Sequence, residues 1–196
     1  MENILRTFIL ALSLYVLLDK FIIKEMVRKG LEHIVEPYRS LIGKLLDALL
    51  FALGERLVSV VVYGSVARGQ MRKNSDIDLL IVASGLPSSR FERVNIFIKA
   101  EDMLTENLEK LYEDGYSITF SPVIKTPEEA EKISILYLDM VEDGVIVHDK
   151  DSFFERILNR LSEKLKELGA ERVWVGRKWY WRLKKDYRFG DVIIIE

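Results

Sequence analysis

Hydrophobic positions along the first half of the chain change from helical to strand-like spacing. From Leu31 to Leu53 apolar residues recur every three or four positions, which is typical of a helix with one broad apolar face. Pro37 suits the start of this helix and Gly54 its end. Two short runs rich in β-branched and aliphatic residues follow, at 57–62 and 77–82, and predict buried strands.

The second half continues the alternation of helices and strands. Its predicted elements are a helix over 91–112 ended by Gly115, a strand over 116–124, a helix begun by Thr126 and Pro127 and continued over 133–141, a strand over 144–148, an amphipathic helix capped by Asp151 or Ser152 and ended by Gly169, and strand-like segments at 173–175, 178–182 and 192–195. This order predicts an α/β or α+β fold, a mixed sheet with flanking helices. We expect a helical N-terminal region (1–54), a core domain (55–150) and a C-terminal helix with a small β tail (151–196).

Composition limits the chemistry. Lys and Arg number 29 against 31 Asp and Glu, and the formal charge of −2 gives no global attraction to nucleic acid or anionic lipid. The absence of cysteine excludes disulfides, thiolate metal sites and cysteine nucleophiles, so a bound metal would need oxygen ligands. The 31% of charged residues and the single glutamine, Gln70, are typical of thermophilic proteins.

The N-terminal segment 8–18 is an uncharged apolar run. Because a membrane-spanning helix needs about 20 apolar residues, a packed helix is the first interpretation and a membrane contact the second. Translation could instead begin at Met26. We expect a cytoplasmic protein, in which this segment could also support a homo-oligomer.

The candidate chemistry begins directly after the first predicted strand. The sequence Tyr63-Gly-Ser-Val-Ala-Arg-Gly69 predicts a tight turn into a short helix. Gly64 would let backbone N–H groups approach an anion, and Ser65 could add a hydrogen bond. A Gly-Ser pair alone is more often an ordinary turn.

A pair of acidic residues opens the second predicted strand. Asp76 and Asp78 lie two positions apart, so both would project from one face while Ile77 and Leu79 bury the other. Adjacent carboxylates repel each other unless a cation lies between them, and oxygen ligands suit Mg²⁺ or Mn²⁺. An isolated Asp-x-Asp is, however, more often a turn cap and a solvated edge residue.

The combination of the two motifs outweighs these structural interpretations. A Gly-Ser turn, ten intervening residues and an Asp-x-Asp that opens an apolar strand make residues 58–82 resemble the minimal nucleotidyltransferases of the DNA polymerase beta superfamily. The resemblance implies metal-dependent transfer of a nucleoside monophosphate from a nucleoside triphosphate, with ATP as the expected substrate, to an acceptor hydroxyl. It assigns Gly64 and Ser65 to the triphosphate and Asp76 and Asp78 to two divalent ions.

The resemblance leaves Arg68 and the acceptor open. Arg68 matches a residue often found in the family motif and could neutralise phosphate, although a salt bridge is an equal alternative. A protein, an RNA or a small molecule would all be compatible acceptors. A toxin-like partner protein is one form of the protein acceptor, which would give the chain an antitoxin-like role.

The chain departs from the family pattern at the third carboxylate, which family members usually carry on a later strand. The corresponding segment, 116–124, contains no acid, and Thr119 or Ser121 occupies the expected place. Two hypotheses follow: an active enzyme with an altered site, or a nucleotide-binding regulatory or antitoxin-like module with impaired catalysis. Asp114, Asp139, Glu142 and Asp143 remain possible substitutes from other elements.

The tail is locally basic and aromatic, with Trp174, Trp179, Tyr180 and Trp181 among arginines and lysines. Stacking platforms for single-stranded nucleic acid combine these features. A hairpin that packs its tryptophans on the core while its charges face water is the favoured interpretation.

Overall fold

The computed structural model describes residues 27–176, 178–186, 188, 192–193 and 195. The apolar segment 8–18 and the alternative start at Met26 lie outside these residues. The strands are β1 (Arg28–Lys29), β2 (Leu57–Tyr63), β3 (Ile77–Ala83), β4 (Phe120–Lys125), β5 (Val145–Asp149), β6 (Glu171–Val175) and β7 (Lys178–Arg182). The helices are α1 (Tyr38–Leu53), α2 (Gly64–Ala67), α3 (Arg90–Glu101), α4 (Thr105–Glu113), α5 (Pro127–Ala130), α6 (Leu136–Asp143) and α7 (Phe153–Leu168).

Five strands form one mixed sheet in the order β1-β5-β2-β3-β4. Strand β2 is antiparallel to both β3 and β5, whereas β3 and β4 run parallel, as do β1 and β5. Strands β6 and β7 form a separate antiparallel hairpin. The predicted α/β architecture with a mixed sheet, flanking helices and a C-terminal β element is therefore confirmed.

Helices cover both faces of the sheet because the strands bury residues alternately on either side. On β3, Ile77, Leu79 and Ile81 pack with α1 and α3 in one apolar cluster. Leu80 and Val82 point the other way and pack with α6 and α7. Asp78 lies two positions before Leu80 on the strand, so its side chain points to the same face of the sheet, which α6 and α7 cover.

Several helix boundaries follow directly from local sequence. Helix α1 begins after Pro37 and ends at Gly54, as predicted. Thr126 and Glu129 form a reciprocal capping box at α5, with Pro127 at the first helical position. Gly169 ends α7 in the left-handed conformation, with φ of 66°.

Several predicted elements differ from the structure. The helix predicted to begin at Thr126 and continue over 133–141 is divided into α5, which ends at Ala130, and α6, which begins at Leu136. The described residues of the predicted strand-like segment 192–195 are not in a strand. The helix predicted over 91–112 is divided into α3 and α4 by a 3-10 turn at Asp102–Leu104. The strand predicted from Tyr116 begins at Phe120. At α7 the capping carboxylate is that of Asp149, which accepts hydrogen bonds from the backbone N–H groups of Phe154 and Glu155 at 2.9 and 3.0 Å, rather than the side chain of Asp151 or Ser152.

None of the helices in the described part of the chain is long and apolar enough to cross a membrane.

Candidate active site

Strand β2 passes directly into the short helix α2 at Gly64 and Ser65, which we call the Gly64 turn. Gly64 has φ of 71°, a conformation that side chains other than glycine rarely adopt. A Cβ atom added at Gly64 would lie 2.0 Å from Oδ2 of Asp78, closer than atoms can approach. Glycine is therefore required for two reasons, the backbone conformation and the space taken by the Asp78 carboxylate.

The two aspartates lie at the start of β3, beside this turn. Asp78 pairs with Tyr63 in the β2–β3 register, which places it opposite the last residue before Gly64. Asp76 precedes the strand and is exposed, whereas Asp78 is half-buried. The structure thus brings Gly64 and Asp78 into contact and leaves Asp76 open to solvent two positions earlier.

The negative charge of Asp78 is only partly balanced by nearby positive charge. Burial raises its pKa above the ordinary value, and the negative charge of Asp76 raises it further. The positive charge of Arg68 acts in the opposite direction. Burial, with a contribution from Asp78, also raises the pKa of Tyr63 to about 12, which keeps that phenol neutral. An added cation beside Asp78 would therefore be favoured.

The segment that leads to Asp76 is anchored to the core. The Tyr38 hydroxyl donates to the Arg72 carbonyl at 2.6 Å, and the Arg72 N–H donates to Ser75 Oγ at 2.8 Å. The Ser117 N–H donates to the Lys73 carbonyl at 2.8 Å. These hydrogen bonds hold the backbone of residues 72–75, which directly precedes Asp76, against α1 and the segment before β4. The position of the backbone that carries the two aspartates is therefore fixed.

Strand β4 and the residue before it provide hydroxyl groups at the positions expected for a third carboxylate. Ser121 pairs with Asp78 in the parallel register, and the Thr119 hydroxyl donates a hydrogen bond to Oδ1 of Asp76. The described residues contain no group of three or more His, Cys, Asp or Glu side chains that could hold a metal ion. The protein therefore offers two carboxylates here, with Thr119 beside one of them.

Three of the four acids that could substitute for the third carboxylate bond to groups outside the aspartate pair. Asp139 accepts hydrogen bonds from the indole N–H groups of Trp179 and Trp181 at 3.1 and 3.0 Å. Asp143 accepts one from Arg172 at 2.8 Å, and Glu142 lies 3.2 Å from the same arginine. The fourth acid, Asp114, lies just after α4. Its backbone carbonyl accepts a hydrogen bond from the Lys73 side chain.

Arg68, the first residue after α2, belongs to a group that we call the arginine cluster: Arg28, Arg68 and Arg172 around Asp143. Arg68 lies 3.8 Å from the Asp143 carboxylate, and its side chain is 16% exposed. Arg28 donates to the Ala67 carbonyl at 3.0 Å and to the Asp143 carbonyl. Burial lowers the pKa of Arg28, and Asp143 partly offsets this effect. Arg68 therefore forms a salt bridge, and this salt bridge lies within a partly buried cluster rather than fully on the surface.

Sequence reasoning did not place the tail beside this site. Trp179 lies over the guanidinium of Arg68, 4.6 Å from Cζ to the ring centroid, and Trp181 packs against the core. Trp174 remains 52% exposed. The inward-facing indoles agree with the packing interpretation of the hairpin. The alternating order Trp179-Tyr180-Trp181 was the only sequence signal that these two rings share a face.

The donor set suits a hard divalent cation. Two carboxylates on one face of a strand are oxygen ligands, and the cost of placing them together falls when a dication binds. Mg²⁺ commonly takes only one or two protein carboxylates and completes its shell with water and nucleotide phosphates. Asp76 and Asp78 could therefore hold a metal–nucleotide complex, with the backbone of the Gly64 turn close to its phosphates.

Comparison with known proteins gives a family match and one sequence relative. Residues 42–159, more than half of the chain, match the model of the nucleotidyltransferase domain. A protein of Methanocaldococcus jannaschii, MJ1305, is 29% identical over 132 residues, which is 66% of this chain and 83% of that protein. Its name describes it as a protein adenylyltransferase.

Solved structures give weaker similarities. A toxin–antitoxin complex with AMP-PNP contains a chain that is 15% identical, with a TM-score of 0.39, over 64% of this chain and 90% of that one. A complex of a tri-AMPylated Shewanella oneidensis HEPN toxin with its MNT antitoxin contains a chain that is 13% identical, with a TM-score of 0.38, over 67% and 92%. TM-scores below 0.5 do not by themselves establish a shared fold, so the assignment rests on the domain match. The chain belongs to the nucleotidyltransferase domain family and is, by that membership, a nucleotidyltransferase.

Proposed function

We propose that this nucleotidyltransferase transfers AMP from ATP to a hydroxyl group of an acceptor protein and depends on Mg²⁺ or Mn²⁺. The observation that carries the proposal is the close approach of the Asp78 carboxylate to Gly64, which places the aspartate pair directly beside a turn where the backbone carries no Cβ atom. The choice of adenylate and of a protein acceptor is supported by the name of the relative MJ1305. An RNA or a small-molecule acceptor is an alternative outcome of the test below.

The triphosphate would lie along the Gly64 turn. The first N–H groups of a helix have no acceptor within the helix, so the start of α2 offers backbone donors for phosphate oxygens. Ser65 adds a hydroxyl at the same end. With only four residues, α2 contributes little dipole, so close backbone approach at Gly64 is the main advantage of this turn.

Asp76 and Asp78 would ligate the divalent ions that accompany the nucleotide. Such ions polarise the α-phosphate and neutralise charge on the departing pyrophosphate. The acceptor oxygen forms a new bond to the α-phosphorus, the bond from that phosphorus to the bridging oxygen breaks, and pyrophosphate leaves with that oxygen. As this bond forms, the proton of the acceptor hydroxyl passes to solvent water.

Thr119 favours a second candidate, a nucleotide-binding regulatory or antitoxin-like module with impaired turnover. Thr119 is one of the two hydroxyl residues, with Ser121, at the place expected for the third carboxylate, and its hydroxyl donates a hydrogen bond to Asp76. A neutral hydroxyl is a weaker ligand for a dication than a carboxylate. Two carboxylates would still support binding of a metal–nucleotide complex. The two candidates therefore differ in turnover rather than in affinity.

The test is transfer of label from α-phosphate-labelled ATP to material in an extract of the source cells, with Mg²⁺ or Mn²⁺. Wild type is compared with Asp76→Asn/Asp78→Asn, and protease and nuclease digestion identify the labelled material. Protease-sensitive label that only the wild type produces supports the proposal. Nuclease-sensitive or small-molecule label would contradict the protein acceptor.

The absence of transfer, combined with magnesium-dependent ATP binding by the wild type alone, would replace the enzyme proposal with the regulatory module. Labelled GTP, CTP and UTP are run in parallel. Preferential transfer from any of these would contradict the assignment of ATP.

A further inference from the structure

The Arg68 side chain is held without consuming its hydrogen-bond donors. Its Nη1 lies 3.8 Å from the Asp143 carboxylate, a distance that allows ionic attraction without a hydrogen bond. Its Nε is buried and makes no hydrogen bond within the described residues. An arginine that serves only as a structural link would be expected to satisfy more of its five N–H donors.

Asp143 does not fully neutralise Arg68, because it also binds a second arginine more closely. Arg172 donates to the same carboxylate oxygen, Oδ2, at 2.8 Å. Arg28 donates to the Asp143 carbonyl. Three guanidinium groups thus meet at Asp143, although Arg172 also has the Glu142 carboxylate at 3.2 Å and Arg28 also donates to the Ala67 carbonyl. Of the two arginines that contact the Asp143 carboxylate, Arg68 has the longer contact. Part of its charge remains available to another anion.

Trp179 is the group that fixes the plane of Arg68. Its ring centroid lies 4.6 Å from Cζ of Arg68, a cation–π distance. The indole is itself fixed by its N–H bond to Asp139 at 3.1 Å and by contact with Trp174, 5.0 Å between ring centroids. A stacked aromatic face restrains a guanidinium from one side and leaves the N–H groups on its edge free.

The cluster and the nucleotide site lie on the same face of the sheet. Asp78 projects toward the face covered by α6, which ends at Asp143. Arg68 follows the Gly64 turn by four residues and lowers the pKa of Asp78 through its charge. The hairpin that carries Trp179 lies outside the matched residues 42–159. The C-terminal hairpin, which lies beyond the matched domain, therefore contacts an arginine next to the Gly64 turn.

We infer that Trp179 is a positioning residue of the nucleotide site, whose indole, together with Asp143, orients the Arg68 guanidinium so that its terminal Nη N–H groups, rather than the buried Nε, bind the triphosphate. This inference rests on the proposed function. It assigns Arg68 to the phosphates and makes the C-terminal hairpin part of the nucleotide-binding unit.

The experiment compares Trp179→Leu with Trp181→Leu. Both indoles donate to Asp139, and both contact Arg172, 5.3 and 5.6 Å from its Cζ to the ring centroids, so both variants lose similar hairpin contacts. Of the two, only Trp179 has a cation–π contact with Arg68 among the described contacts. Trp181→Leu therefore controls for loosening of the hairpin, and thermal unfolding of each variant verifies the fold.

The readout is the dissociation constant of a non-hydrolysable ATP analogue with Mg²⁺, together with kcat and KM for transfer. We expect Trp179→Leu to weaken binding and raise KM about fivefold with little change in kcat, and Trp181→Leu to stay within about twofold. Trp179→Phe retains an aromatic face and should recover most of the affinity. In an Arg68→Ala background Trp179→Leu should have no additional effect, because the residue acts through Arg68.

Equal effects of the two leucine variants, or an additive effect in the Arg68→Ala background, would overturn the inference. So would an Arg68→Ala variant that binds the nucleotide like wild type. Each of these results leaves the proposed function intact as long as wild type transfers label and the Asp76/Asp78 variant does not. Loss of transfer by wild type itself would instead contradict the proposed function.

Discussion

Charged side chains lie at both ends of the parallel strand pair β3 and β4. They are paired with an opposite charge at one end and repel each other at the other end. At the end of β4, Arg93 forms a two-point ion pair with Glu129, at 2.6 and 3.0 Å, and its Nε donates to the Pro87 carbonyl. The hydrogen bonds from Arg93 lower the pKa of Glu129 to about 2. At the start of β3, Asp76 and Asp78 repel each other, and burial raises the pKa of Asp78.

On the proposed function, the difference separates a structural site from a functional one. The Arg93–Glu129 pair satisfies both charges within the protein, so a bound ion would add nothing there. The aspartate pair keeps excess negative charge, which destabilises the empty site and favours a bound cation. Strained electrostatics of this kind concentrate at functional sites. The following variants test whether the two ends behave as this contrast requires.

The largest effect is expected from Asp78→Asn. Transfer should fall by on the order of 10²-fold or more, because an amide is a poor ligand for a divalent ion. The free energy of unfolding without metal should stay equal or rise by about 0.5 kcal/mol, because repulsion from Asp76 is removed. Asp114→Asn, an exposed carboxylate that precedes β4, is the control. Activity retained in Asp78→Asn would contradict the ligand role.

The next effect is expected from Gly64→Ala, compared with Gly69→Ala. Both glycines have positive φ, 71° and 67°, but an added Cβ meets Asp78 only at Gly64 and nothing within 4 Å at Gly69. Gly69→Ala should cost about 1 kcal/mol of stability, the cost of the backbone conformation. Gly64→Ala should cost about 2–4 kcal/mol and reduce nucleotide binding. Equal losses, measured by denaturant unfolding, would show that the close contact with Asp78 is unimportant.

Glu129→Gln tests the structural end. Glutamine can keep the capping box at α5 but removes the charge that neutralises buried Arg93, so we expect a loss of about 1–2 kcal/mol at pH 7 with transfer within about twofold of wild type. The folded-state pKa of Glu129 lies near 2, below its ordinary value. The stabilisation should therefore be complete above about pH 5 and disappear as the pH falls toward about 2. A stability difference that does not change with pH would contradict this account.

The smallest effect is expected from Thr119→Val, which removes the hydroxyl that donates to Asp76 and keeps the side-chain volume. Asp76 would lose one hydrogen bond but remain exposed to water, so we expect transfer and magnesium affinity to change by no more than about threefold. Ser121→Ala, two positions later in β4, is the control. A loss comparable to that of Asp78→Asn would identify Thr119 as a ligand.

The parts of this molecule that the sequence predicted are those governed by local rules. Pro37 and Gly54 bound α1, and Ile77 and Leu79 are buried on one side of β3 as their alternation predicts, because helix ends and strand alternation depend on neighbouring residues. The sequence also showed that segment 116–124 contains no acid. The structure adds that the Thr119 hydroxyl in this segment donates to Asp76.

The arginine cluster could not be predicted in this way. Arg28, Arg68, Asp143 and Arg172 come from four distant segments that meet only when β1, α2, α6 and β6 pack together. The division of one predicted helix at Asp102–Leu104 has the same origin, because its apolar spacing continues through the 3-10 turn. Contacts of high sequence separation leave no periodic signal along the chain.

The most direct test of the central claim is calorimetric titration of wild type and Asp78→Asn with a non-hydrolysable ATP analogue, each with and without Mg²⁺. If the aspartate pair and the Gly64 turn hold a metal–nucleotide complex, wild type will bind the analogue tightly only with Mg²⁺, and Asp78→Asn will lose that metal-dependent gain. Equal affinities of the two proteins with Mg²⁺ would contradict the claim and place the nucleotide elsewhere on the molecule.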